Sequence, residues 1–103
     1  MINIILADDH HIIRASLKAL IEKHEGINVV AEVPDGLAVL ELLEKGIKAD
    51  IILSDLVMPR LDGIALANTI KERGHHTKVV VLSILEDEKY SSNAFISGAF
   101  AYF

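Results

Sequence analysis

At 103 residues, 51% of them hydrophobic and 24% charged, the chain is long enough for one packed domain and too short for two. A net charge of -5 with scattered Lys and Arg argues against direct binding to nucleic acid or an anionic membrane. The lack of cysteine excludes a disulfide framework and a thiolate metal site. The start, M-I-N-I-I-L-A-D-D, has neither the basic lead of a signal peptide nor the length of a membrane span, so a cytoplasmic location is expected.

Residues 2–7 (I-N-I-I-L-A) are β-branched and nearly continuous, as in a strand buried on both faces. Residues 11–24 place Ile13, Leu17, Leu20 and Ile21 at helical spacing, and Gly26 supplies a stop. Residues 27–33 read as a second strand and Pro34-Asp35-Gly36 as a turn. Leu37, Leu40 and Leu43 form an apolar stripe on a helix ending at Gly46. Residues 50–54 make a third strand, and a loop runs from there to Gly63. A helix over 64–73 follows, closed by Lys71, Arg73 and Gly74, whose cations suit a helix C-terminus. Residues 78–83 are a fourth strand. Residues 87–97 predict a weaker helix, because Ser91, Ser92 and Asn93 are poor helix formers. A fifth strand begins at 99–103.

Strands alternating with helices predict βαβ units and a parallel sheet. Right-handed crossovers then gather the strand C-termini along one edge, where such folds bind ligands. That edge would carry Asp8 and Asp9 from the first strand, Asp55 from the third and Ser83 from the fourth. Two carboxylates about 4 Å apart repel by roughly 4 kcal/mol at an effective dielectric of about 20. A domain with about 5–15 kcal/mol of stability must offset this. A hard divalent cation held by oxygen ligands and water, Mg²⁺ above all, would do so and would prepare phosphoryl chemistry. A carboxylate can itself be the nucleophile, forming an acyl phosphate, with Ser83 offering a hydroxyl to a phosphoryl oxygen. Taken alone, Asp8-Asp9 also suits a helix N-cap.

Four separated motifs resemble the receiver domain of bacterial two-component response regulators: Asp8-Asp9 after the first strand, D-L-V-M-P-R-L-D-G from Asp55 to Gly63, Ser83 at the end of V-V-V-L-S, and G-A-F-A-Y from Gly98 to Tyr102. The A-D-D-H opening, Ser83 and the Y-F ending most resemble the subclass with a C-terminal LuxR-type helix-turn-helix. The resemblance implies a flavodoxin-like doubly wound sheet in strand order 2-1-3-4-5. It implies that Asp55 accepts a phosphoryl group from a sensor histidine kinase. It also implies that Asp9, Asp55 and the backbone carbonyl of Val57 bind Mg²⁺, with Asp8 acting through water. Ser83 would move toward the phosphorylated Asp55, Tyr102 would swing inward, and the fourth-helix and fifth-strand face would change shape. Met58, Pro59 and Gly63 would shape the loop, proline biasing Met58 to an extended form. The implied partners are the kinase, a possible second copy of the chain, and DNA only through an output domain outside these residues, with no membrane.

The family pattern has a lysine three positions after Tyr102 and then a fifth helix. The chain ends at Phe103, so a receiver domain incomplete at its C-terminus is expected. A phosphohydrolase of the haloacid-dehalogenase type would need D-x-D at the first strand, where this chain has adjacent aspartates. A pseudo-receiver acting only as a binding module is a further alternative, disfavoured by the presence of all three acids. His10-His11 and His75-His76 read as surface residues, since neighbouring histidines on a helix point in different directions.

Overall fold

The computed structural model describes residues 1–56, 58–86 and 94–102, with side chains as far as Leu82. The elements are β1 (Ile2–Ala7), α1 (His11–Glu22), β2 (Ile27–Val33), α2 (Gly36–Glu44), β3 (Ile51–Asp55), α3 (Gly63–Glu72), β4 (Lys78–Glu86) and β5 (Ala94–Tyr102). They form one five-stranded sheet in the order β2-β1-β3-β4-β5, the order expected of a flavodoxin-like fold. The first four strands pair in parallel: Ile4 lies opposite Val29 and Ile51, and Asp55 opposite Leu82.

The chain steps one way across the sheet from β1 to β2, then the other way to β3 and β4. Right-handed crossovers therefore put α1 on one face and α2 with α3 on the other. The principal core lies beneath α2 and α3. There Ile5, Ala7, Ile52, Val79 and Val81 from alternate strand positions meet Val39, Leu40 and Leu43 of α2 and Leu66, Ala67 and Ile70 of α3. Within α2 the packed stripe is Val39, Leu40 and Leu43, whereas Leu37 is 38% exposed. On α1 no residue is fully buried, and Leu20, expected in its stripe, is 56% exposed. Ile13, Leu17 and Ile21, at intervals of four, are the partly buried apolar positions of that helix.

Two corrections concern the C-terminal part of the sheet. Residues 94–97, expected in a helix, belong to β5, and the rest of the expected 87–97 helix lies outside the described residues. The fifth strand runs antiparallel to β4, with Ser83 opposite Gly98 and Val79 opposite Tyr102, where an all-parallel sheet was expected. The connection accounts for the direction. Only residues 87–93 separate the two strands, and a parallel crossover needs about a dozen residues or more. Ala94-Phe95-Ile96 also carries strand-favouring aromatic and β-branched side chains.

Candidate functional site

The parallel ladder fixes which residues share an edge. β1 ends at Ala7 and β3 at Asp55, so the residues after β1 and the last residue of β3 emerge side by side. Asp8 is anchored there by its backbone N–H, which donates to the Val33 carbonyl at 3.0 Å. Its own carbonyl accepts a 2.7 Å hydrogen bond from Arg14 Nη1, one turn into α1. Arg14 Nη2 meets His11 Nδ1 at 2.8 Å, and Arg14 Nε lies 3.6 Å from Glu32. The first turn of α1 is thus tied to the acidic corner by a side chain that the sequence alone did not mark.

Asp8 and Asp55 are nearly buried, at 1% and 5% exposure, while Asp9 is open to solvent. His10 Nδ1 lies 2.8 Å from Asp8 Oδ1, 3.2 Å from Asp9 Oδ1 and 3.5 Å from Asp55 Oδ2. One potential ligand atom from each of these four residues falls within 4.8 Å of the others. The surface reading of His10 is therefore corrected. Its place follows from a backbone hydrogen bond, His10 N–H to Asp8 Oδ1 at 2.7 Å, which turns the chain so that the imidazole faces the acids. Adjacent side chains do diverge, and it is His11 that points away, to Arg14. The helix-cap reading of Asp8-Asp9 also fails, because the N-cap position of α1 is His10 and no side chain caps it.

Asp8 Oδ2 is buried without a hydrogen-bond partner, the only carboxylate oxygen in that condition among the described residues. A buried, unpaired carboxylate oxygen costs about 1–3 kcal/mol or more. The orphaned atom, beside two further carboxylates, fits the oxygen-rich donor set that a hard divalent cation requires. A hollow of about 850 Å³ at the opposite edge of the sheet is lined by Ile2, Ile51, His75 and His76 among others, with Asp50 as its only carboxylate, so the acids converge elsewhere.

The loop after Asp55 is held from several sides. Leu56 N–H donates to the Leu82 carbonyl at 2.7 Å, and Gly63 N–H to the Leu56 carbonyl at 3.0 Å. Met58 is buried in the core, and Ser54 Oγ donates to the Asp55 carbonyl at 2.9 Å. Pro59 is exposed, and Arg60 adopts a left-handed φ of 68°. That turn directs Arg60 back onto Asp35, to which Nε and Nη2 donate at 2.8 and 2.9 Å. Asp35 also caps α2 by accepting from Ala38 N–H at 2.9 Å. Gly36 N–H donates to the Leu61 carbonyl at 3.3 Å, so the start of α2 and the Asp55 loop form one unit. Asp62 caps α3 through Ala65 N–H at 2.8 Å.

The Arg60 guanidinium holds the Asp35 carboxyl below its ordinary pKa, with burial opposing and the Ala38 N–H assisting. A depressed folded-state pKa contributes stability that is full above the unfolded-state value and is lost as pH falls through the lower folded value. Asp35→Ala is therefore expected to cost about 1 kcal/mol for the cap at neutral pH, plus a salt-screened part from the half-exposed Arg60. The gap between parent and variant in urea unfolding is expected to shrink as the pH is lowered to about 3. A gap independent of pH would show that the carboxylate charge has no part in holding the loop.

Of the expected site residues, the structure brings together Asp8, Asp9 and Asp55. It places Met58 and Gly63 beneath and behind Asp55. Residue Val57 and the side chains of Ser83 and Tyr102 lie outside the described residues. The backbone of Ser83 follows Leu82, the partner of Asp55, and so reaches the acidic edge. Tyr102 pairs with Val79, four residues back along β4 and about 13 Å from Ser83 at strand spacing. The antiparallel β5 therefore does not carry Tyr102 to that edge. His10, Arg14 and the Asp35–Arg60 pair were not found from the sequence. Only the A-D-D-H run hinted at His10, and nothing in the spacing of Asp35 and Arg60 signals that they meet.

A doubly wound α/β sheet with buried carboxylates at the ends of its first and third strands defines the class. The sequence profile of the response regulator receiver domain matches residues 4–103, and the chain belongs to that family. It is 35% identical over 99 residues to the transcriptional regulatory protein YhcZ of Bacillus subtilis, covering 96% of this chain and 46% of that protein. It is 36% identical to the transcriptional regulatory protein DegU of Brevibacillus brevis, covering 98% and 42%. Among solved structures it resembles the receiver domain of the response regulator NarL of Mycobacterium tuberculosis, with a TM-score of 0.75 and 28% identity over 85% of this chain and 70% of that one. It also resembles RcsB of Salmonella enterica bound to promoter DNA in the presence of a phosphomimetic, with a TM-score of 0.74 and 33% identity over 86% and 74%. The chain spans less than half the length of these curated relatives. Both of these relatives carry the name transcriptional regulatory protein. No helix among the described residues is long and apolar enough to cross a membrane.

Proposed function

We propose that residues 1–103 are the receiver domain of a cytoplasmic two-component signalling switch, in which Asp55 accepts a phosphoryl group from a sensor histidine kinase. The observation that carries this reading is the buried Asp55 carboxylate at the C-terminal end of β3, within one cluster with Asp8 and Asp9. An Asp55 carboxylate oxygen attacks phosphorus, the bond from phosphorus to the donor nitrogen breaks, and the departing imidazole takes the electron pair. Asp9, Asp55 and the Val57 carbonyl would hold Mg²⁺, with Asp8 acting through water. Bound there, the cation neutralises charge on the transferring group. Arg14 and the Asp8 turn fix the acidic corner, while Met58, Gly63 and the Asp35–Arg60 pair fix the loop that carries Asp55. A preset geometry of this kind supplies much of phosphoryl-transfer catalysis.

Ser83 is the proposed switch residue, approaching the phosphorylated Asp55 from β4. Inward movement of Tyr102 is not part of the proposal, given its pairing with Val79. The output is transcription, through a DNA-binding domain of the LuxR type outside these residues. Support comes from relatives named as transcriptional regulatory proteins and from RcsB structures solved on DNA. A second copy of the chain is the proposed partner in the phosphorylated state.

Incubation with acetyl phosphate and Mg²⁺ tests the reading by intact mass. The parent is expected to gain one phosphoryl group, and Asp55→Ala none. A parent that folds and binds Mg²⁺ yet gains no phosphoryl group would instead be a pseudo-receiver.

A further inference from the structure

We propose that Arg60 and Asp35 are positioning residues for phosphoryl transfer: their ion pair holds the left-handed turn that places the loop after Asp55, so that the start of α2 sets the Mg²⁺ affinity and the phosphorylation rate of the acidic site. The inference rests on the phosphoacceptor reading of Asp55 and adds two residues that act through its loop. Arginine seldom adopts a positive φ, yet Arg60 has a φ of 68°. Such a conformation persists only where its surroundings over-determine it. Three contacts surround it. Arg60 Nε and Nη2 donate to the two carboxylate oxygens of Asp35 at 2.8 and 2.9 Å. Leu61 N–H donates to the Pro59 carbonyl at 2.8 Å and closes the turn. The Leu61 carbonyl accepts from Gly36 N–H, and a Cβ on Gly36 would sit 2.6 Å from that oxygen, so α2 begins in direct contact with the turn.

An exposed ion pair adds little stability, and the Arg60 side chain is half exposed. The contribution of this pair is direction. A two-pronged guanidinium contact fixes orientation as well as distance, and its acceptor is a nearly buried carboxylate that Ala38 N–H also holds. Glu41 of α2 further favours the charged guanidinium. Asp55 and the proposed Val57 ligand precede the turn in the chain, and Gly63, whose N–H bonds back to the Leu56 carbonyl, follows it. A shift at residue 60 therefore reaches the donors of the proposed cation site from within their own loop.

The test compares Arg60→Ala, Arg60→Gly and Asp35→Asn by Mg²⁺ calorimetry, acetyl phosphate labelling and urea unfolding. Arg60→Ala loses the guanidinium but keeps the cost of a positive φ. It is expected to weaken Mg²⁺ binding, and to slow labelling at saturating Mg²⁺, by about tenfold each, as when a residue that orients metal ligands is removed. Arg60→Gly can hold the turn without an ion pair and is expected to stay within about threefold of the parent in both. Asp35→Asn keeps an oxygen for the Ala38 cap and removes the charge. It is expected to behave as Arg60→Ala does, with the double variant no worse than either single one. Lowered stability with parental Mg²⁺ affinity and labelling would make the pair merely structural and overturn the proposal. Arg60→Gly as impaired as Arg60→Ala would overturn the turn as its route. Either result leaves the phosphoacceptor reading standing, whereas a folded parent that gains no phosphoryl group would overturn both.

Discussion

Gly63→Ala is expected to destabilise the domain by about 3 kcal/mol, the upper part of the usual range for overpacking a filled interior, and to slow phosphorylation of Asp55. A Cβ on Gly63 would sit 2.6 Å from the Asp55 carbonyl oxygen, 3.1 Å from Val81 Cγ1 and 3.2 Å from Ser54 Oγ. The first of these contacts is with backbone, which cannot step aside by changing rotamer. The Asp55 carbonyl is also the acceptor for Ser54 Oγ, so pushing it away loosens the end of β3. Gly26→Ala is the comparison. Its glycine has a φ of 83° with nothing within 4 Å of the added carbon, so the cost is backbone strain alone, about 1–2 kcal/mol. Urea unfolding at constant slope measures both costs, and acetyl phosphate labelling separates them further. Gly26→Ala lies far from the site and should label at the parental rate. Equal destabilisation by the two variants, with equal labelling, would remove Gly63 from the machinery that positions Asp55.

The sequence was most informative where one local rule sufficed. Continuous apolar runs marked β1, β3 and β4 because a strand buried on both faces has no polar side to show. Their parallel order followed from the helices between them, and the acidic edge from that order. Legibility declined where the outcome depended on partners distant in the chain. Leu37 and Leu20 satisfy helical spacing as well as Leu40 and Leu17 do, but spacing does not say which flank of a stripe meets the sheet. The Asp35–Arg60 pair joins residues 25 apart through a left-handed turn at Arg60, a conformation that no arginine signals in advance. His10 was read as surface on the premise that it sits on a helix, whereas it stands at the N-cap with extended backbone. The helix begins at His11, as expected, and it is the Asp8 turn with the extended backbone at His10 that brings this imidazole to the acidic cluster. At the other end, reading 94–97 as helix ignored how few residues separate β4 from β5, and direction followed length.

Asp8→Asn is expected to be more stable than the parent without divalent cations, by about 1–2 kcal/mol, and to lose that advantage when Mg²⁺ is added. Charges within 4.8 Å repel by about 3–4 kcal/mol at an effective dielectric of about 20, part of which His10 offsets. An asparagine keeps Oδ1 as acceptor for His10 N–H and replaces the unpartnered Asp8 Oδ2 by a neutral amide N–H₂. The variant removes a charge and an orphaned oxygen together, at no change in shape. The cation acts in the opposite sense. A ligand at about 100 times its Kd adds about 2.7 kcal/mol to the state that binds it, and the parent retains all three carboxylates to do so. The two unfolding free energies, measured against Mg²⁺ concentration, should therefore cross. Crossing curves mean that the acidic corner is held in a strained state for the sake of its cation. An Asp8→Asn protein less stable than the parent in chelator would mean instead that the Asp8 charge is needed for the fold itself, through His10 and the turn into α1.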